Sequence, residues 1–285
     1  MHASNRRFSL LPIYLTLSLF AALTLLPFAW MVAAALKSQD DFFTSIFLPP
    51  GSGPFGVGWE RLTLANFARL FTEFPVGRAM LNSIFFSTVT SALATAACAM
   101  GGYALAKFSF KGRALLTGAV LGALIVPTSL LIAPTYKLLW QLGLLNSYAG
   151  LILPAIAPAF GVFLFRQAML NSVPRELLEA ARIDGCGELR IFFTVVVPLI
   201  RPMIGAFMLI TFLGAWNNFI GPQIVLQDAE AFPLSVAINN LRGLHGTDYG
   251  LIMAGTLLSI APVMCLFLLL QKEFIAGLTS GAVKG

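Results

Sequence analysis

Long apolar runs alternate along the chain with short polar stretches. Residues 10–36 form a run of 27 without a charged side chain. A helix crosses the hydrocarbon core of a bilayer, about 30 Å thick, in roughly 20 residues, so this run predicts a membrane span. A cleaved secretory signal has an apolar core of only about 7–15 residues, which favours a retained span over a leader ending near Ala33 to Ala35. The same pattern predicts further spans at residues 79–106, 114–136, 149–165, 203–226 and 251–270. Six crossings put both termini on one side. Between the first two spans, residues 37–78 are mixed in character. The stretch LPPGSGPFGVG breaks any helix there, and a short surface helix is expected near Leu64 to Phe71. The aromatic and proline content of this segment suits an ordered outer cap.

Composition agrees with a membrane protein. Of 285 residues, 58% are hydrophobic and 11% charged, against about 25% charged in a typical soluble domain. The formal charge of +6 is spread along the loops, so it carries no expectation of nucleic-acid binding. Twelve of the 18 Lys and Arg fall on the side that holds the termini. Four of the other six (Lys37, Arg61, Arg69 and Arg78) lie in the one long loop, where the positive-inside rule is weak. The termini and the loop at 174–202 are therefore expected in the cytoplasm. The three cysteines, Cys98, Cys186 and Cys265, are scattered and form no CxxC, so they define neither a disulfide framework nor a metal site.

The second predicted span is rich in small residues, among them Ser83, Ser87, Ser91, Thr95, Gly101 and Gly102. Small residues let membrane helices approach closely, so this helix is expected inside a bundle. No Asp, Glu, Lys, Arg or His sits well inside any span, which argues against an ion-coupled carrier. No GxxxxGK[ST] is present, so nucleotide is not expected on this chain. No catalytic triad or HExxH is visible, and His2 and His245 are read as surface residues. Such a chain is either a passive channel or scaffold, or a transport subunit driven by a partner.

The polar stretch at 174–202, PRELLEAARIDGCGELRIFFTVVVPLIRP, favours the partner. It carries Glu176, Glu179, Asp184 and Glu188 with Arg175, Arg182, Arg190 and Arg201. Pro174 suits the first turn of a helix, Arg175 to Ile183 favours helix throughout, and Gly185 suits the left-handed residue that ends one. Leu177, Ala180, Ala181 and Asp184 are expected on one face, and Glu179 is placed to pair with Arg182. The result is a helix, a Gly turn and a second helix in water. Charges that merely keep a loop solvated are the simpler alternative.

Glu179-Ala180-Ala181, followed by Asp184-Gly185, Pro198 and Pro202, resembles the EAA loop of ABC-importer permeases, with Cys186 where that family usually has Ala. GYALAKF and FKGR at 102–113, and the tail QKEFIAGLTSGAVKG, are similar to carbohydrate permeases of the smaller maltose-permease type. The resemblance implies an all-α, six-helix, type I (MetI-like) permease fold. It implies a cytoplasmic N-terminus at 1–9, a first helix at 10–36, an extracytoplasmic loop at 37–78, a permease core at 79–271 and a cytoplasmic tail at 272–285. It implies a bacterial inner-membrane location, a second permease subunit, two copies of an ATP-binding subunit that holds ATP and Mg, and an extracytoplasmic solute-binding protein. Glu179, Ala180, Ala181, Asp184 and Gly185 would couple to the ATPase, and Gly281, Ala282 and Val283 would reach it from the tail. The solute would be a sugar or oligosaccharide, with a polyol or glycerophosphate-type solute as the alternative. Trp216, Asn217 and Asn218 are candidates for the solute path, against a bland role in helix packing.

Overall fold

The computed structural model describes residues 3–243 and 246–279. The chain divides into two compact units: Met1–Gly77 with Ile238–Ala261, and Arg78–Ala237 with Pro262–Gly285. Three helices contain stretches long and apolar enough to cross a membrane: Leu10–Ala35 within α1 (Ala3–Ala35), all of α4 (Val76–Lys107), and Tyr249–Leu269 within α15 (Tyr249–Thr279). The other three predicted spans are broken. Arg113–Ala123 with Thr128–Gln141 bends by 100°, Tyr148–Ala155 with Ala159–Ser172 by 41°, and Glu188–Leu199 with Arg201–Trp216 by 83°. Among the described residues, counting each bent pair as one crossing gives up to six.

Proline stands at two of the three breaks. It removes a backbone donor and pushes the preceding residue away from helical angles. Pro127 (ψ 126°) separates α5 (Arg113–Ala123) from a 3₁₀ turn and α6 (Ile132–Gln141). Pro158 (ψ 133°) separates α7 (Tyr148–Ile152) and its 3₁₀ continuation from α8 (Ala159–Ser172). The fifth expected span, 203–226, needs correction. Its helix, α12 (Arg201–Trp216), ends at Asn217, and a separate short α13 (Ile220–Val225) follows. The stretch Glu188–Leu199, expected in a water-exposed loop, is part of an apolar bent pair instead. Its residues Ile191, Phe192 and Val196 are buried, so hydrophobicity overrode the loop reading.

In the first unit, the segment after the first span is ordered by buried polar groups. The helix expected near Leu64 to Phe71 is α3 (Ala65–Thr72), preceded by α2 (Gln39–Thr44). Asn66 donates to the carbonyls of Ala35 (2.9 Å) and Lys37 (2.8 Å). The Lys37 side chain is fully buried and donates to the carbonyl oxygens of Ser45 (2.7 Å) and Ile46 (3.3 Å). Burial pushes its ammonium below the ordinary lysine value, against a smaller opposing effect of Asp41. Asp41 itself pairs with Arg61. A two-residue antiparallel pairing, β1 (Arg242–Gly243) with β2 (Gly246–Thr247), lies in the same unit.

The second unit is built on the small-residue face of α4. Ser83, Ser87, Thr90, Ser91 and Thr95 are buried there. Ser83 accepts a hydrogen bond from the Leu234 N–H (2.7 Å). Toward its end α4 crosses α8 with backbone nearly in contact: a Cβ on Gly102 would lie 2.7 Å from the Arg166 backbone nitrogen and 2.7 Å from the Phe165 Cβ. Around this crossing, Ala94, Cys98, Tyr103, Phe165, Met169 and Phe207 form the main apolar core. The KFSFKGR stretch closes the helix end. Arg113 Nε donates to the Leu105 carbonyl (2.9 Å), and Lys107 donates to the Val173 carbonyl beyond α8, satisfying acceptors that a helix end leaves open.

Gly102→Ala should therefore cost about 1–3 kcal/mol by overpacking, lowering the thermal midpoint of the detergent-solubilised protein by roughly 2–10 °C. Gly118→Ala is the control, because its Cβ would meet nothing within 4 Å. Equal midpoints for the two variants would contradict the close crossing.

Candidate functional site

The loop at 174–202 opens with α9 (Arg175–Ile183), entered through Pro174 in an extended conformation. The end of the helix is a complete Schellman arrangement. Gly185 has φ +78°, its N–H donates to the Arg182 carbonyl (3.0 Å), and the Cys186 N–H donates to the Ala181 carbonyl (3.0 Å). A second helix, α10 (Glu188–Ile191), follows and runs through a π turn at Phe192–Val196 into α11 (Val197–Leu199).

The α9 helix has two sides. Leu178 is 1% exposed and enters the core built by α4 and α8, with Ala181 and Cys186 packed against the same cluster. Glu179, Ala180, Asp184 and Gly185 face solvent, together with Leu177 (46% exposed) and Ile183 (86%). The expected single face of Leu177, Ala180, Ala181 and Asp184 is thus split. Leu178 and Ala181, three apart, are the inward pair, and Ala180 and Asp184, four apart, look outward.

The expected pairing of Glu179 with Arg182 is also replaced. Arg182 grips Glu188 with two nitrogens, Nε to Oε1 at 2.6 Å and Nη2 to Oε2 at 3.3 Å. A forked guanidinium–carboxylate contact is stronger than a single-point pair. The Gly185 turn brings Glu188 within reach of it. The second Glu188 oxygen also accepts from the Tyr103 hydroxyl of α4 (3.2 Å).

The three proposed solute-path residues separate in the structure. Trp216 is 5% exposed and stacks on Phe212 one turn earlier (5.8 Å, 14° between planes), so its ring is occupied by packing rather than open to a sugar. Asn217 donates to the Leu213 carbonyl of its own helix (3.0 Å). Asn218 borders a cavity of about 520 Å³, within the ordinary range of small-molecule sites. Its Oδ1 accepts from the Gly221 N–H (3.2 Å) and its backbone carbonyl accepts from Ser235 Oγ (2.9 Å), so it pins the break between α12 and α13. The polar lining beside it comes from Thr128, Ser129, Thr135 and Tyr136. These were not expected from the sequence. Their signal was a polar pair directly after each proline of an apolar segment, Pro127-Thr128-Ser129 and Pro134-Thr135-Tyr136. No charged residue lines the cavity. Gly281, Ala282 and Val283 lie outside the described residues.

A mainly helical chain with membrane-length apolar helices, a charged exposed helix at α9 and a cavity at broken helices fits a transport permease. Residues 99–275 match the family described as "binding-protein-dependent transport system inner membrane component", and the chain belongs to it. It is 36% identical to the arabinooligosaccharides transport system permease protein AraQ of Bacillus subtilis (strain 168), over 98% of each chain. It is 34% identical to the lactose transport system permease protein LacG of Rhizobium radiobacter, over 95% of each. In structure it is similar to a chain of a bacterial ABC transporter involved in the import of the acidic polysaccharide alginate, with TM-score 0.79 and 21% identity, over 96% of this chain and 99% of that one. The fold is that of a type I ABC importer permease, and the chain is a multi-pass inner-membrane transport subunit.

Leu178 is the buried anchor of α9, and Leu178→Ala should cost about 2–5 kcal/mol. Amide hydrogen exchange across Arg175–Ile183 should accelerate at least about tenfold, with α12 unchanged. Uniform protection in the variant would mean that α9 is held by something else.

Proposed function

We propose that this chain is the membrane-spanning subunit of an ATP-driven, binding-protein-dependent importer for a neutral sugar or oligosaccharide. The observation that carries the proposal is the two-sided α9. One side is rooted in the bundle through Leu178, and the other offers Glu179, Ala180, Asp184 and Gly185 to a partner. ATP and Mg belong to two copies of that partner, an ATPase on the cytoplasmic side, and this chain binds no cofactor. Both termini face the cytoplasm, and the tail residues Gly281, Ala282 and Val283 add a second contact to the ATPase. A second permease subunit completes the path, and an extracytoplasmic binding protein delivers the solute.

The carbohydrate class rests on relatives named for arabinooligosaccharides and lactose. The cavity supports a neutral member of that class: hydroxyl, phenol and carboxamide groups line it without a charge. A glycerophosphate would leave its anion facing uncharged walls, which is costly in a poorly hydrated site. Asn218 is the residue assigned to the solute path.

Glu179 supplies the charge for the ATPase and Gly185 the turn that sets α10 against α9. Proline at 185 cannot adopt φ +78° and removes the N–H that closes the turn on Arg182. Complexes solubilised from the native membrane should retain their ATPase with wild type and lose it with Gly185→Pro; absence of any ATPase from wild type would sink the importer reading. In the reconstituted complex, Asn218→Ala should change solute-stimulated ATP hydrolysis and uptake by about tenfold, the scale of one lost hydrogen bond. Unchanged rate and unchanged solute preference would remove Asn218 from the path.

A further inference from the structure

The docking surface is held to the bundle in two physically different ways. Leu178 is an apolar anchor. Apolar contact resists separation but has no directionality, so by itself it lets a short helix roll or slide. The second attachment is polar and directional. Tyr103 of α4 donates to Glu188 Oε2 (3.2 Å), and Glu188 is gripped by Arg182 of α9 (2.6 Å). Tyr103 is 5% exposed, with its ring set edge-on to Phe108 (5.2 Å) and tilted against Phe192 (5.5 Å). The outer end of the chain is wet: the Arg182 and Glu188 side chains are 38% and 42% exposed. The network therefore runs from the solvated docking helix to a buried hydroxyl on a membrane span. Next to Tyr103 in the chain, Gly102 lets α4 approach the α8 backbone closely, so a displacement of this part of α4 is passed on to a second span by hard contact.

We propose that Tyr103, Glu188 and Arg182 form a polar latch that converts rotation of the docking helix into movement of α4 and α8. Tyr103 is a positioning residue for the transport cycle, although it lies outside the docking loop. The proposal rests on the importer reading above. With the latch open, the partner still docks on α9, but α9 turns on Leu178 without carrying the spans. Hydrolysis and transport then separate.

The test uses the whole complex reconstituted in vesicles, with Tyr103→Phe, Glu188→Gln and the double variant beside wild type. Tyr103→Phe keeps the ring and deletes only the donor. ATPase should co-purify with Tyr103→Phe in wild-type amount, while solute moved per ATP hydrolysed falls about threefold to tenfold. A merely structural defect would lower assembly and both rates together and leave that ratio unchanged. The double variant should be no worse than the more impaired single, because both substitutions break the same Tyr103–Glu188–Arg182 chain. A wild-type transport-to-hydrolysis ratio in Tyr103→Phe, or fully additive losses in the double variant, overturns the latch while leaving the importer reading intact. Absence of ATPase from the wild-type complex overturns both.

Discussion

Backbone groups inside a bilayer cannot turn to bulk water, so each break in a spanning helix must be answered locally or open onto a cavity. Three of the six crossings here are bent pairs, and that requirement governs where they bend. After α5, the amides of Leu124 and Ile125 close shortened turns onto Leu121 and Gly122 (3.2 and 3.1 Å). After α12, the Asn218 carboxamide takes the Gly221 N–H and Ser235 covers the Asn218 carbonyl. The loose ends of the third and fifth crossings come to the same cavity. A mainly apolar cavity with a few polar groups thus forms where the helices are interrupted, and the hydroxyls of Thr128 and Ser129 are among them.

The α9 end, proposed above as the ATPase contact, meets a different demand. A partner that does mechanical work on a membrane subunit needs a handle that is exposed enough to grip and fixed enough to pull. The α9 helix is nine residues long, too short to be stable alone. It is made rigid by a Schellman turn at one end, Leu178 in the middle and a forked ion pair across the turn. An exposed ion pair contributes little by itself. Here it gains weight because Glu188 also receives the Tyr103 hydroxyl, whose burial would otherwise leave a polar group unmet.

Much of this was legible from the residues. Charge-free runs found the first, second and sixth crossings because length and composition alone decide whether a helix spans. The limits of α9 were readable because Pro174 and Gly185 punctuate it chemically. Bend angles of 100° and 83° were not. Proline announces an interruption, but the direction taken afterward depends on tertiary packing. For Trp216 the structure favours the packing role that the sequence had left beside the solute path. Its neighbour Phe212 stands four residues earlier on the same helix, and that spacing already supplied the ring with a stacking partner. Arg182 has acidic residues on both sides in sequence, and only the geometry of the Gly185 turn selects Glu188.

Rigidity at the docking loop and incomplete polar satisfaction deeper in the bundle have a common logic. Ser87, Thr90 and Thr95 on α4 are buried, and their hydroxyls meet no partner among the described protein atoms. Such groups weaken the conformation that holds them by leaving hydrogen bonds unmade. A subunit that alternates between two arrangements cannot have one of them greatly preferred, since the driving partner supplies only a limited differential. On α4 the two features coexist: Tyr103 holds Glu188 by a directional hydrogen bond, and the hydroxyls of Ser87, Thr90 and Thr95 leave the same helix without that fixity.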